Sequence, residues 1–138
     1  TESKGYQLFK NNCATCHKEP LFTDNSFRNN GQHPNLKNDI GLMEITQQKK
    51  DSLKFKVPTL RNVQISLPYM HDGHIYSLFK VIDHYSKDMD TTRNDIDPVL
   101  KRKIIFNDKE KYELVYFLYT LTDSSFIKDP RFAAPVMK

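Results

Sequence analysis

Two thiols and an imidazole stand together in Cys13-Ala14-Thr15-Cys16-His17, a C-x-x-C-H spacing that suits covalent attachment of a c-type haem. One helical turn from Cys13 to Cys16 would present both sulfurs to the vinyl groups of one haem edge, and the next residue, His17, would supply an imidazole to the iron. Two other chemistries compete for such a motif. A zinc site wants further Cys or His ligands at paired spacing, and the chain has only these two cysteines. A thioredoxin-like redox pair wants a βαβ context and does not require the histidine.

The totals are compatible with a haem-binding domain. At 138 residues the chain is the size of one domain, and it can bury about two thirds of its unfolded surface. It is 38% hydrophobic and 28% charged, and no apolar run approaches the ~20 residues of a membrane span. A formal charge of +4, with basic residues scattered among acidic ones, argues against nucleic acid as a partner. Haem c is assembled outside the cytoplasm, so the periplasm is the expected location. Residues 1 to 30 show no apolar export signal, which suggests a mature chain or a fragment of a longer one.

Several segments must hold the cofactor. Residues 4 to 12 carry Tyr6, Leu8 and Phe9 on a predicted helix that feeds the haem motif. Residues 20 to 31 are rich in turn formers and read as an ordered loop anchored by Phe22 and Phe27. Residues 32 to 54 read as a polar surface excursion, with a short extended piece at Met43–Thr46. Two prolines and a glycine between Phe55 and Gly73 argue for a loop packed on the cofactor, with a helical turn at 59–63. Ser77 is a predicted N-cap, and Leu78, Val81, Ile82 and Tyr85 follow on one helical face that ends near Lys87. A short helix is expected at Pro98–Ile105. Asn107 to Glu110 has the form of a capping box that opens the clearest helix, with Leu114, Phe117, Leu118 and Leu121 inward. This helix should cross the first, and the tail from Thr122 to Lys138 reads as an extended strap. The fold class that follows is all-α, a cytochrome c-like domain with long haem-wrapping loops.

Six stretches together carry a resemblance. They are Gly5-Tyr6-x-Leu8-Phe9, the haem motif, Pro20-Leu21-Phe22-Thr23-Asp24, Phe27-x-Asn29-x-Gly31, Phe55-Lys56-Val57-Pro58-Thr59-Leu60-Arg61-Asn62-Val63 and Pro68-Tyr69-Met70-His71-Asp72-Gly73. They resemble the C-terminal haem domain of bacterial di-haem cytochrome c peroxidases and MauG enzymes. The resemblance implies that residues 1–138 form one domain of a two-domain chain. The missing N-terminal domain would hold the haem that meets hydrogen peroxide. This one would relay electrons from a small cytochrome c or cupredoxin donor, and the full-length protein could be a homodimer. The isolated domain is then expected to be weak or inactive as a peroxidase. The alternative is a stand-alone mono-haem electron carrier.

The sixth iron ligand decides the chemistry, since methionine raises the potential and tyrosinate lowers it. By resemblance to the peroxidases the family's ligand position falls at Tyr85, where MauG also has tyrosine. A core aromatic is the competing role for Tyr85. Met70 is the alternative sixth ligand, although its family position is often phenylalanine; water is a third option. Arg61 is expected near the haem propionates and His71 near the edge facing the other domain, both as candidates for a catalytic role. Phe27 and Pro58 are candidates for packing on the macrocycle. Ser66 and Pro68 fall where the peroxidases offer backbone oxygens to an interdomain calcium ion. Helical geometry turns His84 about 100° from Tyr85, so His84, like His33 and His74, is expected at the surface.

Overall fold

A computed structural model describes residues 1–32 and 38–135. Helix α1 spans Glu2–Asn12 and helix α4 spans Asp108–Tyr119. Their crossing is the centre of the core. Gly5 permits the close approach, because a Cβ there would lie 2.0 Å from the Glu113 carbonyl oxygen. Phe117 packs its ring 5.3 Å from Tyr6 and 5.1 Å from Phe9, and Leu114, Val115 and Leu118 are buried around them. The capping box forms as expected: Glu110 N–H donates to Asn107 Oδ1 at 3.0 Å and Asn107 N–H donates to Glu110 Oε2 at 2.9 Å. That satisfies two of the orphan donors at the start of α4.

Helix α3, Leu78–Asp83, continues into a π-helical segment, His84–Asp88. Leu78 and Ile82 point into the core, as the apolar spacing requires. Ser77 occupies the N-cap position but its hydroxyl does not cap. Asp83 ties the element to α4: it accepts from Lys111 Nζ at 2.7 Å, and Lys87 Nζ lies 3.2 Å away.

Five expectations are corrected. The chain is not purely α-helical: strands β1 (Phe27–Arg28) and β2 (Phe55–Lys56) pair antiparallel, Phe27 opposite Lys56 and Arg28 opposite Phe55. Two-residue strands leave no period-2 signal, so only the tertiary pairing reveals them. Met43–Thr46 is a helical turn, α2, rather than extended, and ends on Gln47 in the left-handed region. At 98–105 the 3-10 turn covers only Pro98–Lys101, with the Asp97 carboxylate accepting from Val99 N–H. The tail is not a simple strap, because Asp123 caps a helical turn, α5 (Ser124–Ile127), and Pro130–Phe132 forms another tight turn. The expected helical turn at 59–63 is a run of turns over 61–65. Among the described residues no helix is long and apolar enough to cross a membrane.

Candidate haem site

A cavity of about 1090 Å³ opens between α1, α3, α4 and the two loops joined by the sheet. Its wall includes Phe9, Leu60, Val63, Leu78, Ile82, Ile104, Leu114 and Leu118, the inner faces of the elements just described. Such a volume is at the upper end of the roughly 300–1,000 Å³ of small-molecule sites. The residues around it fit a haem: two thiols, an imidazole and a predominantly apolar bed.

Cys13 and Cys16 line one side on the turn that follows α1, where Cys16 N–H and His17 N–H both reach the Cys13 carbonyl, at 3.2 and 3.0 Å. Burial, with the neighbouring Cys16 second, pushes the Cys13 thiol up to about 12, so it is a neutral, apolar-facing group until it reacts. His17 Nδ1 lies 3.1 Å from the Phe22 carbonyl. A carbonyl can only accept, so Nδ1 carries the hydrogen and Nε2 keeps its lone pair for a metal. Burial lowers the basicity of the ring, partly offset by the Phe22 and Pro58 carbonyls.

The sheet explains how distant loops reach the same cavity. Val57 N–H donates to the Ser26 carbonyl at 2.8 Å and Thr23 Oγ1 donates to the Val57 carbonyl at 2.6 Å. These bonds clamp residues 23–28 against 55–58, and Phe27, Arg28, Phe55 and Pro58 all reach the cavity wall. Phe27 stays 44% exposed, so it is a rim residue and not a buried anchor.

The same cavity is lined by the two candidate sixth ligands. Tyr85 from the π-helical segment and Met70 from the 66–73 loop both line the cavity. Asn30 joins them: its Nδ2 donates to Tyr85 Oη at 3.3 Å and lies 3.7 Å from Met70 Sδ. Burial raises the Tyr85 phenol above its ordinary value, the Asn30 hydrogen bond opposing it. His84 is not the surface residue expected. Its Nε2 lies 2.9 Å from the Asn30 carbonyl, because the Asn30 loop packs against this end of the helix.

His71 lines the cavity, stacks on Phe55 at 3.7 Å between ring centroids and bonds Asp39 Oδ2 through Nε2 at 2.8 Å. Arg61 is not brought to the cavity. It is exposed, and its Nε donates to the Pro20 carbonyl at 3.2 Å. His74 is exposed yet partnered, bonded to Asp72 and Gln32. His33 lies outside the described residues. Ser66 and Pro68 are exposed, and the Ser66 hydroxyl donates weakly to Val63 O at 3.4 Å. No cluster of three or more His, Cys, Asp or Glu suited to a metal occurs among the described residues.

Sequence reasoning missed two residues at the site. Arg28 lines the cavity and is held by Asp24 at 2.8 Å and Asp97 at 3.0 Å; residues 24–28 are loop and strand, where an i,i+4 spacing does not signal a pair. Burial would raise the Asp24 carboxyl, but hydrogen bonds from Ser26 and Arg28 outweigh it and hold the group well below the usual carboxylate range. Asn30 had no local signal either, since its partners lie 40 and 55 positions away.

Residues 2–122 match the Cytochrome c family. The chain is similar to cytochrome c peroxidase Ccp of Escherichia coli, 36% identical over 109 residues that cover 72% of this chain and 23% of that protein. It is also similar to the methylamine utilization protein MauG of Methylorubrum extorquens, 36% identical over 122 residues, covering 86% of this chain and 33% of that one. The cytochrome c551 peroxidase of Nitrosomonas europaea is 34% identical over 140 residues, covering 99% and 37%. The chain therefore spans from 23% to 37% of the length of these relatives. A solved MauG-like protein associated with microbial copper homeostasis superposes with a TM-score of 0.87 at 31% identity, over 97% of this chain and 50% of that one.

Proposed function

Because the chain belongs to the cytochrome c family, we propose that it carries one covalent haem c and serves as the electron-relay domain of a two-domain di-haem cytochrome c peroxidase or MauG-like oxidase. The observation that carries this reading is a single apolar cavity bordered by Cys13, Cys16 and His17 and by the two candidate sixth ligands. In this reading Cys13 and Cys16 fix the macrocycle and His17 ligates through Nε2, its Nδ1 oriented by the Phe22 carbonyl. Tyr85 is the leading sixth ligand, supported by its place on the wall. Bound haem supplies a one-electron couple; the chain excludes water from it with Leu60, Val63, Leu78, Ile82 and Leu114.

The finer reading rests on the resemblance to the di-haem peroxidases. The other domain's haem would reduce hydrogen peroxide, a small cytochrome c or cupredoxin would donate electrons, and the periplasm would be the site of action. The di-haem relatives make a partner haem domain the natural acceptor. His71, stacked on Phe55 at the cavity wall, remains a candidate for the path toward that partner; Arg61 serves better as a clasp between the 20s loop and the turn at 61. An interdomain calcium at the Ser66 and Pro68 backbone is kept as part of the proposal for the full-length protein only.

The test is the mass and absorption spectrum of the chain expressed with haem-attachment machinery. The expected result is a mass gain of one haem that is lost when Cys13 and Cys16 are both replaced by alanine. A colourless, folded product overturns the reading. A precursor gene with no second C-x-x-C-H upstream would leave a stand-alone mono-haem carrier instead. A steady-state assay should find the isolated domain no better than free haem with peroxide.

A further inference from the structure

The Asn30 carboxamide cannot be turned end for end. Its Oδ1 accepts from Gln32 N–H at 3.2 Å, which fixes Nδ2 as the end aimed at the cavity. The loop that carries it is held from both sides. Asn29 is buried and donates to the Asp95 carbonyl at 3.0 Å, Arg93 donates to the Gly31 carbonyl at 2.8 Å, and Asp97 N–H donates to the Asn29 carbonyl at 2.9 Å. Gly31, at φ +79°, sits so close to Met89 that a Cβ would lie 2.7 Å from Met89 Cγ. A rigid donor thus faces one phenol and one thioether.

Met70 is built differently from Tyr85. Its backbone is in the left-handed region, at φ +69°, which costs a non-glycine residue about 1 kcal/mol or more. The flanking bridge between Tyr69 and Ile75, with Tyr69 N–H donating to the Ile75 carbonyl at 2.6 Å, anchors that backbone. The side chain beyond it is unbranched and adaptable. Tyr85 offers a hard anionic oxygen that favours ferric iron, and Met70 a soft sulfur that favours ferrous iron.

We propose that Tyr85 and Met70 exchange as sixth ligand with the oxidation state of the iron, and that Asn30 is the positioning residue that holds whichever side chain is released. The proposal rests on the haem reading above. With haem bound, one electron from a small redox-protein donor would favour release of Tyr85, whose phenolate would take one proton from bulk solvent and accept the Asn30 amide hydrogen bond, while Met70 sulfur would take its place as ligand. Loss of that electron would favour the reverse, with the thioether released and one proton given back to solvent as Tyr85 returns.

X-ray absorption at the iron edge of the wild-type holoprotein, in both oxidation states, tests this without any variant. The expected result is a first shell of nitrogen and oxygen when ferric, gaining one sulfur scatterer when reduced with dithionite. Met70→Leu should leave the ferric optical spectrum unchanged and convert the ferrous spectrum from low-spin to high-spin. Tyr85→Phe should do the reverse, altering the ferric form alone. Asn30→Ala should replace one ferric species by a mixture while the fold, read by circular dichroism, is retained. An identical first shell in the two states, or a Met70→Leu protein unchanged in both, overturns the exchange and leaves the haem assignment standing. Failure to gain haem at all strikes the haem assignment itself.

Discussion

Gly5→Ala sets two physical effects of opposite sign against each other. In an exposed helix interior alanine is better than glycine by about 1 kcal/mol, because glycine loses more backbone freedom on folding. At residue 5 the added methyl would lie 2.0 Å from Glu113 O, 2.7 Å from Glu113 C and 2.8 Å from Phe117 Cβ. The first two are backbone atoms of α4, so no side-chain rotation relieves them. The helices would have to separate, loosening the Tyr6–Phe117 and Phe9–Phe117 ring contacts at 5.3 and 5.1 Å. Overpacking of a well-filled core costs about 1–3 kcal/mol and sometimes more, and a contact with rigid backbone belongs at the upper end. Subtracting the propensity gain leaves a net loss of about 2 kcal/mol. Urea unfolding of the holoprotein, followed at the far-ultraviolet helix signal, gives the change, with Lys4→Ala in the same helix as a control without the clash. A Gly5→Ala protein as stable as its parent, or more stable, would refute the close-packed crossing.

Asp83→Asn removes the carboxylate that Lys111 holds below its ordinary pKa. A depressed carboxylate stabilises above the unfolded value near pH 4 and loses that contribution as pH falls through the lower folded value. The variant should therefore be less stable than its parent at pH 7, and the gap should close as pH falls below the unfolded carboxylate value; denaturation midpoints followed from neutral pH into acid check this. Arg28→Leu leaves the Asp24 and Asp97 carboxylates facing each other without their shared cation. A loss of about 2 kcal/mol is expected, below the ~3–5 kcal/mol of a fully buried pair because the arginine side chain is 23% exposed; it is read from thermal unfolding and should shrink in acid. Cys13→Ala should keep haem on a single thioether, seen as a shifted reduced absorption band, and a chain with no haem would contradict it.

The sequence already carried what local chemistry dictates. The haem motif, the capping box at Asn107, the apolar face of α4 and the face carrying Leu78, Ile82 and Tyr85 are all spacing signals over a few residues. The arrangement that aims the site was not legible, for a physical reason: it is made by bonds between distant loops. The β1–β2 pair is two residues on each strand and brings Phe27 beside Lys56. Arg61 looked like a carboxylate partner in an apolar loop, but the turns after Thr59 carry it outward to the Pro20 carbonyl. His84 was expected to face solvent because an ideal α-helix would turn it there. The Asn30 loop covers it instead, and the π-helical winding that begins there, over His84–Asp88, is of a kind frequent at functional sites.

That winding connects the parts of the site into one mechanical unit. Asp83, its last α-helical residue, is pinned to α4 through Lys111, and α4 is pinned to α1 by the Gly5 crossing. His84 and Tyr85 then reach opposite ends of one residue, the Asn30 carbonyl and the Asn30 amide nitrogen. Tyr85 on the cavity wall is thus registered to the helix leading into Cys13 and His17. A change that opens the α1–α4 crossing should disturb the distal wall as well as stability. Gly5→Ala holoprotein should accordingly show a broadened ferric absorption spectrum at temperatures well below its unfolding midpoint. If the spectrum stays sharp until the helices melt, the two walls of the cavity are mechanically independent and this coupling is wrong.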